Sequence, residues 1–214
     1  MPCDLVLSPT YPYERDQQYL QFRGEENIPR QVCTYLMDLP LPGYAPPTGN
    51  EYPRVRLMKY LFHDGLNPLD ELCPTTEQKW EMFFDPEHPA DPPLGKKGYR
   101  IFPQAYVAQA QNIGDTSLRC YMGTTIARGV YRAELSVVFE VTTNVNYEAA
   151  SGYALSKTFA MEQAILEALN GVNMNGVGTF YFDRSQHGSC GSWNIDDRGT
   201  NLGRRVILGL TWQD

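Results

Sequence analysis

No apolar run in the 214 residues is longer than a few positions, as in Ser136-Val137-Val138-Phe139. Crossing a bilayer takes about 20 such residues, so a spanning helix is excluded. Cysteine is scarce and scattered. Cys3, Cys33, Cys73, Cys120 and Cys190 are odd in number and include no C-x-x-C pair, which argues against a disulfide framework or a zinc site. Basic residues are in deficit, 18 against 25 acidic, for a net charge of −7. Phosphate neutralisation is therefore a poor source of affinity, and nucleic acid is not expected as a sequence-specific ligand. The opening Met1-Pro2-Cys3-Asp4-Leu5 lacks the basic and apolar regions of a secretory signal, so synthesis in the reducing cytoplasm is expected. Internal repeats and low-complexity tracts are also lacking.

Hydrophobic residues make up 42% and charged residues 20%, with 18 Gly and 16 Pro, the composition of a globular chain rich in loops. A chain of this length buries about 70% of its unfolded surface, enough to fold without staples. The first 27 residues, with Pro2, Pro9, Pro12, Gly24 and Glu25-Glu26, show little periodicity and read as an arm. Residues 28–214 read as one domain, with a helical, proline-rich part at 28–97 and a sheet plus helix at 98–214. Ile28, Val32, Tyr35, Leu36 and Leu39 repeat at helical spacing, with Pro29 in the first turn and Pro40 and Pro42-Gly43 as the stop. Leu39–Pro53 is a stiff loop with five prolines. Arg54–Phe62 is a second helix, with Val55, Met58 and Phe62 toward the core and Arg54, Arg56 and Lys59 forming a basic back. Thr75-Thr76-Glu77-Gln78 matches a capping box that opens a helix through Phe84, ended by Pro86.

Downstream the period changes. Tyr99–Phe102, Leu118–Met122, Ala133–Val141, Gly176–Phe182 and Arg204–Trp212 are predicted strands. In the third, Leu135, Val137, Phe139 and Val141 alternate with Glu134, Ser136, Val138 and Glu140, so one face packs on a core and the other meets water or a partner. Ser156–Asn170 is the longest predicted helix, ended by Gly171. The fold class is α+β: a mostly antiparallel sheet of about five strands, one long helix packed on it, and short early helices closing an end.

Chemistry-bearing patterns are few. His63 sits at a helix exit, where the dipole favours its charged form, and His88 in an acidic loop. Neither has a second metal ligand at the required spacing. Ser185-Gln186-His187-Gly188-Ser189-Cys190-Gly191-Ser192-Trp193 puts a thiol, an imidazole and glycines together, but no third group orients the base, and a surface loop between two strands is expected. Gly171–Gly178 follows a helix and precedes a strand, the inverse of a phosphate-binding loop. Glu140, Glu162, Glu167, Asp183, Asp196 and Asp197 offer no pair with a shared cleft, and Asp196-Asp197 reads as a solvated turn. No catalytic, cofactor-binding or metal-ligating residue is assigned.

Fourteen tyrosines, some in loops with proline as in Tyr11-Pro12-Tyr13, Tyr44-Ala45-Pro46-Pro47 and Tyr52-Pro53, supply rigid amphipathic area suited to protein–protein contact. Tyr11, Tyr13, Arg54, Arg56, Arg184, Trp193, Arg204 and Arg205 are the candidate subunit-interface residues. The arm and a loop spanning Ser185–Gly203 are expected to reach neighbouring proteins.

Ile28-Pro29-Arg30-Gln31 followed by Tyr35-Leu36, then Arg54–Phe62 and Pro74–Lys79, then Ser136–Val141, Met161–Ile165 and Gly176–Phe182, resembles the neck and tail-terminator proteins of tailed bacteriophages. The resemblance spans most of residues 28–214. It implies a virion structural protein, assembled in the host cytoplasm, that forms a homo-oligomeric ring, a hexamer favoured, where the tail meets the connector. Its neighbours would be neck, connector or tail proteins, with no catalytic residues and no cofactor. Terminator, tail-completion and connector-adaptor roles are all compatible with it. The rival reading is a small cytoplasmic enzyme using Cys190 and His187; a soluble adaptor of another assembly is a third.

Overall fold

Two thirteen-residue strands, β3 (Arg132–Asn144) and β7 (Asn201–Gln213), pair antiparallel along their whole length and form the spine of the fold. The computed structural model describes residues 25–39, 48–65, 67–84, 98–105, 116–127, 132–148, 156–174, 177–185, 187–197 and 201–213. β2 (Ser117–Ala127) flanks β3, and the two-residue β1 (Ile101–Phe102) runs parallel to the start of β2. On the other side of β7 lie β5 (Gly178–Tyr181) and β6 (Gly191–Asp197), with β4 (Asn173–Met174) outside β5. The sheet is curled and mostly antiparallel, within an α+β fold. Among the described residues it holds seven strands rather than about five, because β4 and β6 carry too little apolar alternation to announce themselves.

β5 and β6 behave as one strand interrupted. Tyr181 pairs with Gly209 and Gly191 with Ile207, so residues 182–190 leave the edge of β7 and return two rungs later. The expected Ser185–Gly203 loop is therefore mostly strand. Asp196-Asp197, expected as a solvated turn, forms the last rungs of β6 opposite Leu202 and Asn201. At Gly209 the ring of Tyr181 occupies the space a Cβ would need, so glycine is required for that close approach. β2 contains a bulge: Met122 pairs with Val137 but Thr125 with Leu135, one extra residue on β2. Ser136 Oγ holds it by accepting from the Thr124 N–H at 2.5 Å and donating to the Thr124 carbonyl at 3.2 Å. The bulge switches the core-facing parity of β2, which is why alternation in the sequence stops at Met122.

Among the described residues the helices lie on one face of the sheet. They are α1 (Ile28–Leu36), α2 (Pro53–Phe62), α3 (Thr76–Met82), α4 (Val145–Glu148) and α5 (Lys157–Leu169). α1 rests on β2, α2 on α5, and α5 on β3 and β7, so the early helices join the covering layer instead of closing an end. One buried cluster runs from Ile28, Val32 and Leu36 through Leu57, Leu61 and Ile165 to Val137, Phe139, Leu208 and Leu210. At about 25 cal/mol per Å² of apolar surface removed from water, this cluster dominates the folding energy.

Local signals fix the helix ends. Thr75 and Gln78 make the reciprocal capping box, with the Thr75 N–H donating to Gln78 Oε1 at 2.9 Å and the Gln78 N–H to Thr75 Oγ1 at 3.3 Å. α3 then stops at Met82, because Phe83 pairs with Ile101. Ser156 caps α5 through the Phe159 N–H, and Gly171, at φ +82°, terminates it in the left-handed region. α1 ends before its prolines, where Asp38 turns the chain at φ +50°. Glu25–Asn27, at the end of the expected arm, is a 3-10 turn running directly into α1, and residues 1–24 lie outside the described residues.

Candidate interaction surface

The period of two in β3 sends Leu135, Val137, Phe139 and Val141 to the helices and Glu134, Ser136, Val138 and Glu140 to the opposite face. That second face is not simply wet: all four residues are buried, Glu140 to 6% exposure. Across it runs one row of the sheet, Arg119 of β2, Glu140 of β3, Arg205 of β7 and Trp193 of β6, each paired in register with the next. Arg205 donates from Nε and Nη2 to Glu140 Oε1 at 2.7 and 2.5 Å, and Tyr121 OH donates to the same oxygen at 2.8 Å. Arg119 Nη1 lies 3.6 Å from Oε2. Burial, reinforced by the bond to Glu140, pushes the Tyr121 phenol up to about 12. The Glu140 hydrogen bonds hold the Arg205 guanidinium still further above its ordinary value. The row ends openly: Trp193 is 44% exposed and the Arg205 side chain 46%. No described helix packs there.

Among the described candidate residues, the structure joins Trp193 and Arg205 in one patch. Arg204, one residue on, faces the helices. It pairs with Glu162 of α5, stacks over Phe159 at 5.0 Å, and donates to Asn194 Oδ1 at 2.6 Å and Ser192 Oγ at 3.0 Å. Arg204 is thus engaged within the fold, stapling β7 to α5 and β6. Arg54 is likewise engaged within the fold, with Asp38 Oδ1 at 2.9 Å and the Tyr35 ring at 4.6 Å. Arg56 ties α2 to α5 through Glu167. Arg184 is exposed in the 182–190 excursion, and Tyr11 and Tyr13 lie outside the described residues. The basic back of α2 also needs correction. Lys59 is buried, its ammonium donating to the Leu69 carbonyl at 2.9 Å because the turn Pro68–Asp70 folds over it.

Sequence reasoning missed a buried ionic cluster where α2 ends and α5 begins. Arg100, 2% exposed, makes a two-pronged contact to Asp64 at 2.9 and 2.6 Å and donates to the Leu61 carbonyl at 2.5 Å. Lys157 donates to Thr116 Oγ1 at 2.7 Å and the His63 carbonyl at 2.9 Å, with Asp64 at 3.7 Å. Burial pushes the Lys157 ammonium down to about 8, opposed by Asp64 and helped by Arg100. Burial alone would raise the Asp64 carboxyl, but Arg100, with Lys157 and Thr116, outweighs it and holds the group below its usual range. The partners come from four separate places in the chain, residues 61–64, Arg100, Thr116 and Lys157, so no local pattern foretold it. The ammonium makes two hydrogen bonds and an ion pair inside the protein, which suits a structural role. His63, just past α2, bonds its ring Nε2 to the Leu72 carbonyl at 2.8 Å.

The expected surface loop does lie between β5 and β6, with Arg184, Ser185 and Gly188 exposed, but His187, at 2%, and Cys190 are buried within it. His187 Nδ1 accepts the Ser189 N–H at 3.3 Å, and Cys190 Sγ is directed to the Tyr181 carbonyl at 3.8 Å. Neither atom is aimed at the other. An open cleft of about 470 Å³ between α1 and α3, lined by Asn27, Arg30, Gln31, Thr34 and Trp80, places no nucleophile beside a base. Among the described residues no group of three or more His, Cys, Asp or Glu is placed to hold a metal ion, and no helix is long and apolar enough to cross a membrane. Comparison with protein-family models, with curated proteins and with solved structures finds no match.

Proposed function

We propose that this chain is a structural subunit of a homo-oligomeric ring at the head-to-tail junction of a tailed bacteriophage, and that its work is to interlock with neighbours. The assembly role is carried by one observation: a half-exposed indole and a half-exposed guanidinium, Trp193 and Arg205, stand side by side on a sheet face that no described helix covers. Tryptophan and arginine are the residues that contribute most per contact at protein interfaces. The place in the virion rests on the resemblance carried by residues 28–214.

The rival, a cysteine-dependent enzyme, would need a base at the Cys190 thiol, but Cys190 Sγ is directed to the Tyr181 carbonyl and His187 Nδ1 accepts the Ser189 N–H. The test measures the chain's mass in solution, searches for it in purified virions, and follows the thiols with a neutral-pH alkylating reagent. The expected result is a particle-borne subunit in which Cys190 alkylates no faster than a buried thiol. A chain absent from particles with a fast-reacting Cys190 would reverse the assignment.

A further inference from the structure

Independently of the assembly role, we infer that Cys33 of α1 and Cys120 of β2 are a reversible dithiol–disulfide pair, an oxidation site whose closure locks the helix layer to the sheet. α1 rests on β2, and each cysteine lies on the side of its element that meets the other. Val32, Cys33 and Leu36 are buried on α1; Leu118 and Cys120 are the core-facing residues of β2 before Met122 and the bulge. Both cysteines are fully buried in one cluster, and their side chains are within hydrogen-bonding reach of each other. Among the described residues four cysteines are free, and these two, far apart in sequence, meet. Cys73 lies instead beside Lys79, and Cys190 is directed to the Tyr181 carbonyl. Sulfurs that are already neighbours need only a short approach to the bonded separation of about 2 Å.

The closed fold protects the pair. Burial, with the Cys33 thiol beside it, pushes the Cys120 thiol well above its ordinary range, so it stays protonated and inert. Access comes from α1, whose nine residues are too few to persist as a helix without packing, and lifting it from β2 uncovers both thiols together. With hydrogen peroxide as oxidant, one thiol loses its proton and the thiolate attacks a peroxide oxygen. The O–O bond breaks, the sulfur becomes a sulfenic acid, and the leaving hydroxide takes up the proton as water. The second thiol, deprotonated in turn, displaces the sulfenic hydroxyl, which leaves with that proton as a second water, so the two sulfurs pass two electrons to one peroxide. A dithiol reductant returns both thiols. The bond closes a loop from Cys33 to Cys120 that contains α2, α3 and β1, and restraining so long a stretch of the unfolded chain favours the folded one.

The test treats the reduced full chain with hydrogen peroxide at neutral pH, alkylates the remaining thiols in denaturant, and maps disulfides by non-reducing peptide mass spectrometry. The expected product is two hydrogens lighter, with Cys33 joined to Cys120 of the same copy and both recovered as thiols by dithiothreitol. Its unfolding equilibrium constant in urea should be smaller than that of the reduced chain by roughly tenfold or more, with the circular dichroism of the helices unchanged. Low urea, which raises the open fraction, should speed its formation. Cys33→Ala should leave Cys120 unlinked and abolish the stabilisation; where that variant does not fold, the map of the wild-type chain decides. Linkage through other cysteines or between copies would overturn the inference, as would a pair still reduced after Cys73 has been oxidised. A linked product less stable than the reduced chain would overturn it too, since the bond would then oppose the native packing of α1 on β2.

Discussion

Glu140 and Arg205 face each other across the β3–β7 rung, and two guanidinium nitrogens converge on a single carboxylate oxygen that Tyr121 also uses. Removing the acceptor leaves three donor groups short of a partner. Glu140→Ala should cost about 1–3 kcal/mol in urea unfolding, the upper part of the range tempered by the exposure of Arg205. Tyr121→Phe should cost about 1 kcal/mol. The phenol, raised from 10.0 to about 12, keeps its proton in the folded chain after the unfolded chain has lost it, so stability should fall as pH rises from 10 to 12. Unfolding midpoints across that window check the sign, and Tyr121→Phe should remove this component.

Lys157 works in the opposite sense and in a neighbouring window. Its ammonium, lowered from 10.5 to about 8, releases its proton in the folded chain before the unfolded chain does, so its contribution makes stability rise between pH 8 and 10.5. Lys157→Met should flatten that rise. Asp64, held below its ordinary value of 3.8, supplies stability present above pH 4 and lost on further acidification. Asp64→Ala, which strands Arg100 and Lys157, should cost about 3 kcal/mol at pH 7; an acid titration followed by tryptophan fluorescence measures both effects.

Trp193 and Arg204 should separate assembly from stability. Trp193→Ser is expected to leave the unfolding free energy within about 0.5 kcal/mol of wild type and to weaken self-association by tenfold or more, about 1.4 kcal/mol. Arg204→Ala should do the reverse, losing about 1–3 kcal/mol of stability as Glu162 is left without its cation, with association changed only through the folded fraction. Sedimentation equilibrium beside urea unfolding reads the two quantities independently.

Signals confined to one turn or one strand were legible in the sequence. The capping box at Thr75, the Gly171 stop and the inward side of β3 all follow from residues within a few positions of each other. What depended on distant partners was not. Lys59 looked solvent-facing until the Pro68–Asp70 turn covered it. β6 has polar residues of low strand preference and is held by the backbone of β7, so nothing within Gly191–Asp197 announced it. Arg204 and Arg205 are neighbours in sequence, and only knowledge that both lie in a strand assigns one to the helix layer and the other to the open face. Half of the proposed surface was therefore visible as residue types and half required the register.

The excursion of residues 182–190 begins and ends two rungs apart on the same edge of β7. Its tip at Gly188 is exposed, and its base is anchored by the buried His187 and Cys190. Chain length added at that tip has no strand to displace and no register to shift. It does open the His187–Cys190 turn, in which the Ser189 and Cys190 N–H groups both bond to His187, so a peptide tag inserted after Gly188 should leave the sheet intact and loosen only this excursion.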